Sequence, residues 1–265
     1  MSPNTADGTI VLDLAPPIAT ITIDRTADRN RFRRVDMERL GEIVAALGAD
    51  ETVHAVIVTG AGEEFFSAGL LNPEIRGSLP KDEILDFVFL ANRVFDALEA
   101  LPQMVIAAIN GTVMAGAVEL ALACDIRLAA DHAKLSMPEA KWGGFPGAGG
   151  PVRLPMVVGH GRAMELMGTG REIDTDEMAR IGLVEHVYQR DNLRDAAHAM
   201  ARTIGANGPL ATRGAKRISR VRMETGFTAA RALSDALRHA LEWSADVDEG
   251  IAAHRESRTA KFIGR

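Results

Sequence analysis

One long apolar segment, residues 103–125, limits what this chain can fold into. Between Gln103 and Cys124 it carries a single charged side chain, that of Glu119. A lone carboxylate is costly to bury, so the segment needs a reason to keep it. Three interpretations compete: a membrane span of about 20 residues, a buried strand, turn and helix whose acid is merely hydrogen-bonded, or an active site that uses a carboxylate with a shifted pKa.

Turn residues inside the segment argue against a membrane span. Asn110-Gly111 interrupts it with turn chemistry, and Glu119 would lie inside the bilayer. Val105–Ile109 is short and β-branched, which is typical of a buried strand. Gly116–Ala123 is rich in Ala and Leu, which favours a buried helix. The small residues between them would let the backbone approach a ligand closely.

Composition and charge exclude several classes of protein. The 265 residues are 47% apolar and 25% charged, as in ordinary globular proteins, and allow one large domain or two unequal ones. The net charge is -6, so we expect no nucleic-acid partner. One local cluster is basic, and it is either a solvated turn or a contact for a ligand phosphate; it contains Arg29, Arg31, Arg33 and Arg34.

The cysteine content and the N-terminus indicate a compartment. Cys124 is the only cysteine, so no disulfide can form within the chain, which suits a reducing environment. The first residues lack the basic and apolar regions of a secretory signal. We therefore expect a cytoplasmic protein without a membrane span.

Strand and helix patterns alternate up to about residue 150, and helical patterns follow. This order predicts an α/β core over residues 1–200 with a helical region over 201–265. The predicted strands are Thr9–Leu14, Ile18–Ile23, Ala55–Thr59, Val105–Ile109, Ile126–Ala129, Lys134–Met137 and Gly182–Val187. The predicted helices are Val35–Leu47, Ile84–Leu98, Gly116–Ala123, Asp191–Ile204, Leu210–Met223, Thr228–Trp243 and Asp248–Arg258. Two stretches are predicted to be irregular: residues 70–80, which follow F-F-S-A-G at 65–69, and Pro138–Gly150.

Two turns of small residues could present backbone amides to a ligand. Ser67-Ala68-Gly69 and Ala115-Gly116-Ala117 each follow a strand and could open a helix. Amides at a helix start have no helical partner, and two of them converging on one oxygen form an oxyanion hole. Tight packing explains either turn alone. The two together, beside a buried acid, favour a function.

Two glutamates are candidates for acid–base chemistry. Glu119 lies one helical turn after Gly116, so its side chain can share a side with that amide. Glu139 stands in a Pro/Gly-rich loop among apolar neighbours, although a lone loop glutamate is usually solvated. Two carboxyl groups near one carbonyl can share acid and base roles around a water molecule. The histidines show no metal-ligand spacing, and no G-x-S-x-G elbow is present.

Several segments resemble the crotonase superfamily, and within it the enoyl-CoA hydratases. F-S-A-G at 66–69 is similar to the first oxyanion segment of that family. The stretch 109–125 is similar to the second, which ends in a catalytic glutamate. The stretch 137–155 is similar to the third, with Glu139 in its P-E pair, and 248–258 is similar to the C-terminal helix.

The resemblance implies a crotonase-like spiral of ββα turns with a C-terminal helical trimerisation region. It also implies reversible syn addition of water to a 2-enoyl-CoA, giving a 3-hydroxyacyl-CoA, in a homotrimer or homohexamer. The amides of Ala68 and Gly116 would hold the thioester oxygen. Glu119 would activate water for C3, and Glu139 would handle the C2 proton. No metal or redox cofactor is implied, because the coenzyme A thioester is the substrate and the electron sink.

The same resemblance assigns candidate substrate contacts, and the sequence departs from the family near some of them. Leu70-Leu71-Asn72 stands where an acidic residue is usual, and arginines stand near the expected CoA binding region. An isomerase, a specialised dehydratase, a C–C lyase or a non-catalytic protein binding RNA or a partner enzyme stays open. The candidate contacts are Arg29, Arg31, Phe66, Ser67, Leu70, Leu71, Met114, Pro138, Trp142, Gly147 and Arg258.

Overall fold

A computed structural model describes residues 10–223 and 227–261 of the chain. The first residue of the predicted strand Thr9–Leu14 lies outside them. The strands are β1 (Ile10–Ala15), β2 (Ile18–Ile23), β3 (Ala55–Gly60), β4 (Phe65–Ser67), β5 (Met104–Ile109), β6 (Thr112–Met114), β7 (Ile126–Ala130), β8 (Lys134–Ser136), β9 (Glu172–Asp174) and β10 (His186–Tyr188).

The helices follow the predicted order. They are α1 (Arg34–Ala49), α2 (Pro73–Arg76), α3 (Lys81–Glu99), α4 (Gly116–Leu122), α5 (Gly150–Val158), α6 (His160–Thr169), α7 (Thr175–Arg180), α8 (Leu193–Gly205), α9 (Pro209–Met223), α10 (Phe227–Glu242) and α11 (Ala245–Arg255). Short 3-10 helices form at Thr26–Asp28, Pro138–Trp142 and Arg190–Asn192.

The strands form two sheets, and from β3 to β8 successive strands belong to one sheet and then the other. The larger sheet has the order β1-β2-β3-β5-β7-β10 and is parallel except for the β1–β2 hairpin. The smaller sheet has the order β4-β6-β8-β9 and is antiparallel only between β8 and β9. The pairs β3–β4, β5–β6 and β7–β8 each place one strand in each sheet before the chain enters a helix. This repeat confirms the expected spiral of ββα turns.

Three local predictions were wrong. The stretch 70–80 is not all loop, because it contains α2; the Asn72 side chain accepts a hydrogen bond from the Ile75 amide at 2.9 Å and caps α2. The stretch 138–150 begins with a 3-10 helix. The predicted strand over 182–187 forms only at His186–Tyr188, since Gly182 has φ +75° and turns the chain out of α7.

The core lies between the sheets and helices α1 and α3. The face predicted for α3, with Ile84, Val88, Ala91, Phe95 and Leu98, is buried throughout. Helix α10 packs against α3 and α5, and α11 packs against α2 and the 3-10 helix at Pro138–Trp142. The last helices therefore contact the core of their own chain. A boundary at residue 200 and a trimerisation role stay predictions.

The segment 103–125 folds as β5, β6 and α4, which confirms the strand–turn–helix interpretation. The carboxylate of this segment is buried with it, since Glu119 is only 2% exposed. Throughout residues 10–223 and 227–261, every helix is too short or too polar to cross a membrane. The cost of burying this acid must therefore be met inside the protein.

Candidate active site

The two predicted turns of small residues meet in space. Gly116 begins α4, and Ala115 before it has φ 51°. A Cβ atom on Gly69 would lie 3.0 Å from the Gly116 amide nitrogen. A Cβ atom on Gly116 would lie 1.8 Å from Cδ1 of Leu70, so any larger residue at position 116 requires the Leu70 side chain to move. The first turn does not open a helix, because the chain leaves β4 and reaches α2 only at Pro73.

The predicted role of the Ala68 amide is wrong. Its N–H donates to the Arg29 carbonyl at 2.9 Å, and its own carbonyl accepts from Nη1 of Arg31 at 3.3 Å. The next amide, of Gly69, donates to Oγ of Ser67 at 3.0 Å. Within residues 10–223 and 227–261, the amides of Leu70 and Gly116 have no acceptor. Leu70 and Gly116 both line the cavity described below, so these two N–H groups are available to a ligand oxygen.

Glu119 is held at the start of two helices. It lies in the first turn of α4, and its Oε1 accepts a hydrogen bond from the Gly150 amide, the first of α5, at 2.7 Å. Burial raises the pKa of this carboxyl above its ordinary value, and the hydrogen bond from Gly150 opposes that rise. The glutamate is thus positioned rigidly and is a stronger base than a solvated one.

Glu139 is half-buried, and its carboxyl oxygen Oε2 is shielded from solvent despite its place in a Pro/Gly-rich loop. It lies in the 3-10 helix Pro138–Trp142, and its Oε2 has no hydrogen-bond partner among the described residues. Burial, followed by the nearby charge of Glu119, raises its pKa. Because each carboxyl disfavours ionisation of the other, the two groups titrate as a pair and readily share one proton.

Both glutamates line one cavity of about 40 Å³. That volume holds roughly two or three water molecules. Four predicted contacts line it together with Glu119, Glu139 and Gly116: Leu70, Leu71, Trp142 and Gly147. Ala115, from the second predicted turn, lines it as well. The sequence did not indicate five further lining residues: Arg76, Val88, Phe145, Ala148 and Arg238.

Four other predicted contacts do not line the cavity. Phe66 is fully buried in the hydrophobic core, and Ser67 uses its hydroxyl for the Gly69 amide. The Met114 carbonyl faces Gly69, and Pro138 begins the 3-10 helix and lies against Gly170. Their positions were predicted to touch substrate, but they support the loops that do line the cavity.

The predicted arginines also lie outside the cavity. The guanidinium of Arg29 lies 5.5 Å from the ring centre of Phe65. Arg31 reaches the Ala68 carbonyl and lies 3.6 Å from Asp28, while Arg258 pairs with Glu249 and Glu256 at the surface. A contact of these arginines with coenzyme A stays a prediction.

A family model described as enoyl-CoA hydratase/isomerase matches residues 15–265. The chain belongs to the enoyl-CoA hydratase/isomerase family. YngF of Bacillus subtilis, which carries that family's name, is 39% identical over 93% of this chain and 95% of its own length. The crotonyl-CoA hydratase of Syntrophomonas wolfei is 34% identical over 97% of this chain and 98% of its own.

A solved structure supports the same assignment. The enoyl-CoA hydratase of Bacillus anthracis superposes with a TM-score of 0.78 at 34% identity, covering 97% of this chain and all of the other. The fold predicted by resemblance, the crotonase fold, is therefore confirmed. The chain is a crotonase-superfamily enzyme of the class that acts on acyl-CoA thioesters.

In this family member, a polar network fixes the glycine-rich loop beside the cavity. Nδ2 of Asn92 on α3 donates to the Gly147 carbonyl at 3.0 Å. Oδ1 of Asn92 accepts from Arg231 on α10 at 2.5 Å, and Arg231 also binds Asp96 at 2.6 Å. Helices α3 and α10 together therefore set the position of one cavity wall.

Three charged residues near this wall carried no signal in the sequence. Arg76 and Arg238 line the cavity, and Glu242 binds both of them. Arg238 and Glu242 are spaced i, i+4 on α10, the spacing of an ordinary exposed ion pair on a helix. Only the packing of α10 onto α3 and α5 reveals that this pair is buried.

Proposed function

We propose that the enzyme is an enoyl-CoA hydratase, which adds water reversibly and syn to a 2-enoyl-CoA to give a 3-hydroxyacyl-CoA. One observation carries the proposal: buried Glu119 and half-buried Glu139 line the same cavity next to two free backbone amides, those of Leu70 and Gly116. The crotonyl-CoA hydratase among the relatives supports the same reaction.

The amides act on the thioester carbonyl. Its oxygen accepts hydrogen bonds from the N–H groups of Leu70 and Gly116 while electron density moves onto it from the double bond. Gly116 also places the positive end of the α4 dipole there. Preorganised donors of this kind stabilise the enolate more than the substrate, which lowers the barrier. Since the thioester accepts the electron pair, the reaction needs no metal or redox cofactor.

The glutamates act on water and on the α-carbon. Ionised Glu119 takes a proton from water as its oxygen bonds to C3, and protonated Glu139 gives its proton to C2. One glutamate gains the proton that the other loses, so the pair holds a single proton before and after the addition. Raised pKa values in both groups favour this shared state.

The assembly and its setting belong to the same proposal. By family resemblance we infer a homotrimer or homohexamer in the cytoplasm, with acyl-CoA as its ligand and no nucleic-acid or membrane partner. Sedimentation of the purified protein measures the oligomeric state. A monomer at micromolar concentration would contradict this part of the proposal and leave the chemistry untouched.

Hydration of crotonyl-CoA is the direct test. Turnover removes the absorbance of the enoyl thioester, and mass spectrometry of the product shows the gain of one water. We expect Glu119→Gln and Glu139→Gln each to lower kcat by roughly 10²–10⁴, the usual contribution of a general acid or base. Wild-type turnover in both variants would contradict the assigned roles.

The same assay separates the alternatives. An isomerase or a C–C lyase gives a product without added water, and a specialised dehydratase gives a loss of water from a hydroxyacyl-CoA. Salt-dependent retention of RNA without any acyl-CoA turnover would instead indicate a non-catalytic binding protein.

A further inference from the structure

Two arginines from distant parts of the chain line the catalytic cavity. Arg76 is the last residue of α2, and Arg238 lies on α10. We call them the arginine pair. Arg76 is 8% exposed and Arg238 is 2% exposed. Burying two guanidinium groups side by side is costly unless counter-charges and acceptors surround them.

A single carboxylate holds the arginine pair together. Nη2 of Arg76 and Nη2 of Arg238 both donate to Oε2 of Glu242, at 2.5 and 2.6 Å. The Nη1 atoms converge at the other end, because a Cβ atom on Gly144 would lie 3.6 Å from one and 3.8 Å from the other. Glu242 thus supplies one negative charge against two positive ones.

Hydrogen-bond donors are in excess around the arginine pair. Nε of Arg76 and both Nε and Nη1 of Arg238 are buried and have no partner in the described part of the chain. Near the pair, two buried acceptors also lack a partner among the described residues, Oε1 of Glu242 and Oε2 of Glu139. Glu139 supplies no negative charge to the pair at the start of the proposed reaction, since it then carries the proton destined for C2.

Arg76 borders two cavities. Arg76 also lines a second cavity of about 310 Å³, together with Glu242, Ile251 and Arg255. Arg238 lies against the glycine-rich loop, with its Nε 3.2 Å from where a Cβ atom on Gly147 would be. Arg76 therefore borders both the catalytic cavity and a larger one.

We propose that the acyl group of the substrate is short and ends in a carboxylate, which the arginine pair binds at the end remote from the thioester. The inference rests on the proposed function, since it names the substrate class of the same site. A carboxylate supplies a second negative charge in direct contact with the pair, in addition to Glu242, and acceptors for the unpartnered donors. Planar guanidinium groups suit such recognition, because they can bind both oxygens at once.

Binding of saturated thioesters tests this directly, because such compounds do not react. Calorimetry compares glutaryl-CoA with pentanoyl-CoA, which has the same five-carbon acyl chain but no terminal carboxylate. We expect glutaryl-CoA to bind at least tenfold more tightly, as a charge-assisted hydrogen bond predicts. Equal affinity, or tighter binding of pentanoyl-CoA, would overturn the proposal.

Variants assign the preference to the arginine pair. In Arg238→Met, the ratio of the two affinities should fall about tenfold or more. Glu242→Gln keeps the shape of the side chain and removes the negative charge that competes with the ligand, so the ratio of the two affinities should rise. This second variant still tests the proposal if Arg238→Met does not fold. Arg39→Met is the matched control, since Arg39 is exposed on α1 and pairs only with Glu42 in the described residues.

Hydration assays separate this proposal from the function on which it rests. If crotonyl-CoA is hydrated but the affinity ratio is one and insensitive to Arg238→Met, the arginines only tune the glutamates and the substrate class is wrong. If glutaryl-CoA is preferred but neither crotonyl-CoA nor glutaconyl-CoA is hydrated, the carboxylate site stands and the hydratase assignment fails. If neither thioester binds, both fail.

Discussion

Substitution of Gly116 by alanine should disable the enzyme through one steric contact. The new Cβ atom would lie 1.8 Å from Cδ1 of Leu70. Carbon atoms in contact lie about 3.5–4.0 Å apart, so Leu70 must give way by about 2 Å. Gly116 is not among the described residues with positive φ, so alanine strains the contact and not the backbone.

The magnitude follows from what Leu70 and Gly116 do together. The clashing atom is the free end of the Leu70 side chain, whose Cγ and Cβ would lie 3.2 and 3.6 Å from the new atom. Because Leu70 is only 5% exposed, we expect its packed side chain to pass the strain to the backbone, so that its amide and that of Gly116 no longer converge on one oxygen. Loss of one oxyanion donor costs about 10²–10³ in kcat, or roughly 2.7–4 kcal/mol. Overpacking costs a further 1–3 kcal/mol or so of folding free energy. For a protein of this size that lowers Tm by roughly 2–4 °C per kcal/mol.

A double variant supplies the control. In Gly116→Ala/Leu70→Ala, the nearest remaining Leu70 atom is Cβ, at an ordinary contact distance of 3.6 Å. The double variant should therefore recover Tm and part of kcat relative to Gly116→Ala alone. A double-mutant cycle compares wild type, the two single variants and the double variant by crotonyl-CoA hydration and by thermal denaturation. Wild-type kcat in Gly116→Ala, or purely additive effects, would refute the steric argument.

Three further predictions concern the same region. Both glutamates have raised pKa values in the folded state, up to about 8 for Glu139, so the free energy of unfolding should fall as pH rises from about 4.5 to 8. Relative to wild type, Glu139→Gln should therefore be more stable at pH 8 than at pH 5. If urea denaturation gives the same difference in unfolding free energy at both pH values, this prediction is wrong. Ala115→Gly should raise stability by about 1 kcal/mol in urea denaturation, since Ala115 holds φ 51° and ψ -128°; a loss would show that this backbone is not strained. Cys124 is buried, which raises its pKa to about 12, so a thiol reagent should modify it only in urea, and rapid native labelling would refute its burial.

Much of the fold was accessible from local patterns. The spacing of apolar residues in α3 and the β-branched run of β5 both follow directly from the sequence, because each pattern matches a buried face. Short elements such as β4 and α2 were missed. A three-residue strand has too few residues to show alternation, and it exists only because β6 lies beside it.

The site was predictable in its acids and less so in its amides. Glu119 and Glu139 stood out as charges among apolar neighbours. The choice between the amides of Ala68 and Leu70 could not be made from sequence, because it depends on a hydrogen bond from Ala68 to the Arg29 carbonyl, 39 positions away. Arg238 was hidden for a similar reason, since its environment is created by helices α3 and α5.

The position of Arg238 and Glu242 on α10 has a consequence for how such enzymes diverge. The glutamates and the amides come from residues 70–139, whereas this wall of the cavity comes from the last third of the chain. Changes in α10 can therefore alter which acyl groups are accepted while the reacting groups stay in place. Selection for a new substrate and selection for the reaction therefore act on separate stretches of the gene. Recombination between these stretches can combine the same catalytic groups with different acyl-binding walls.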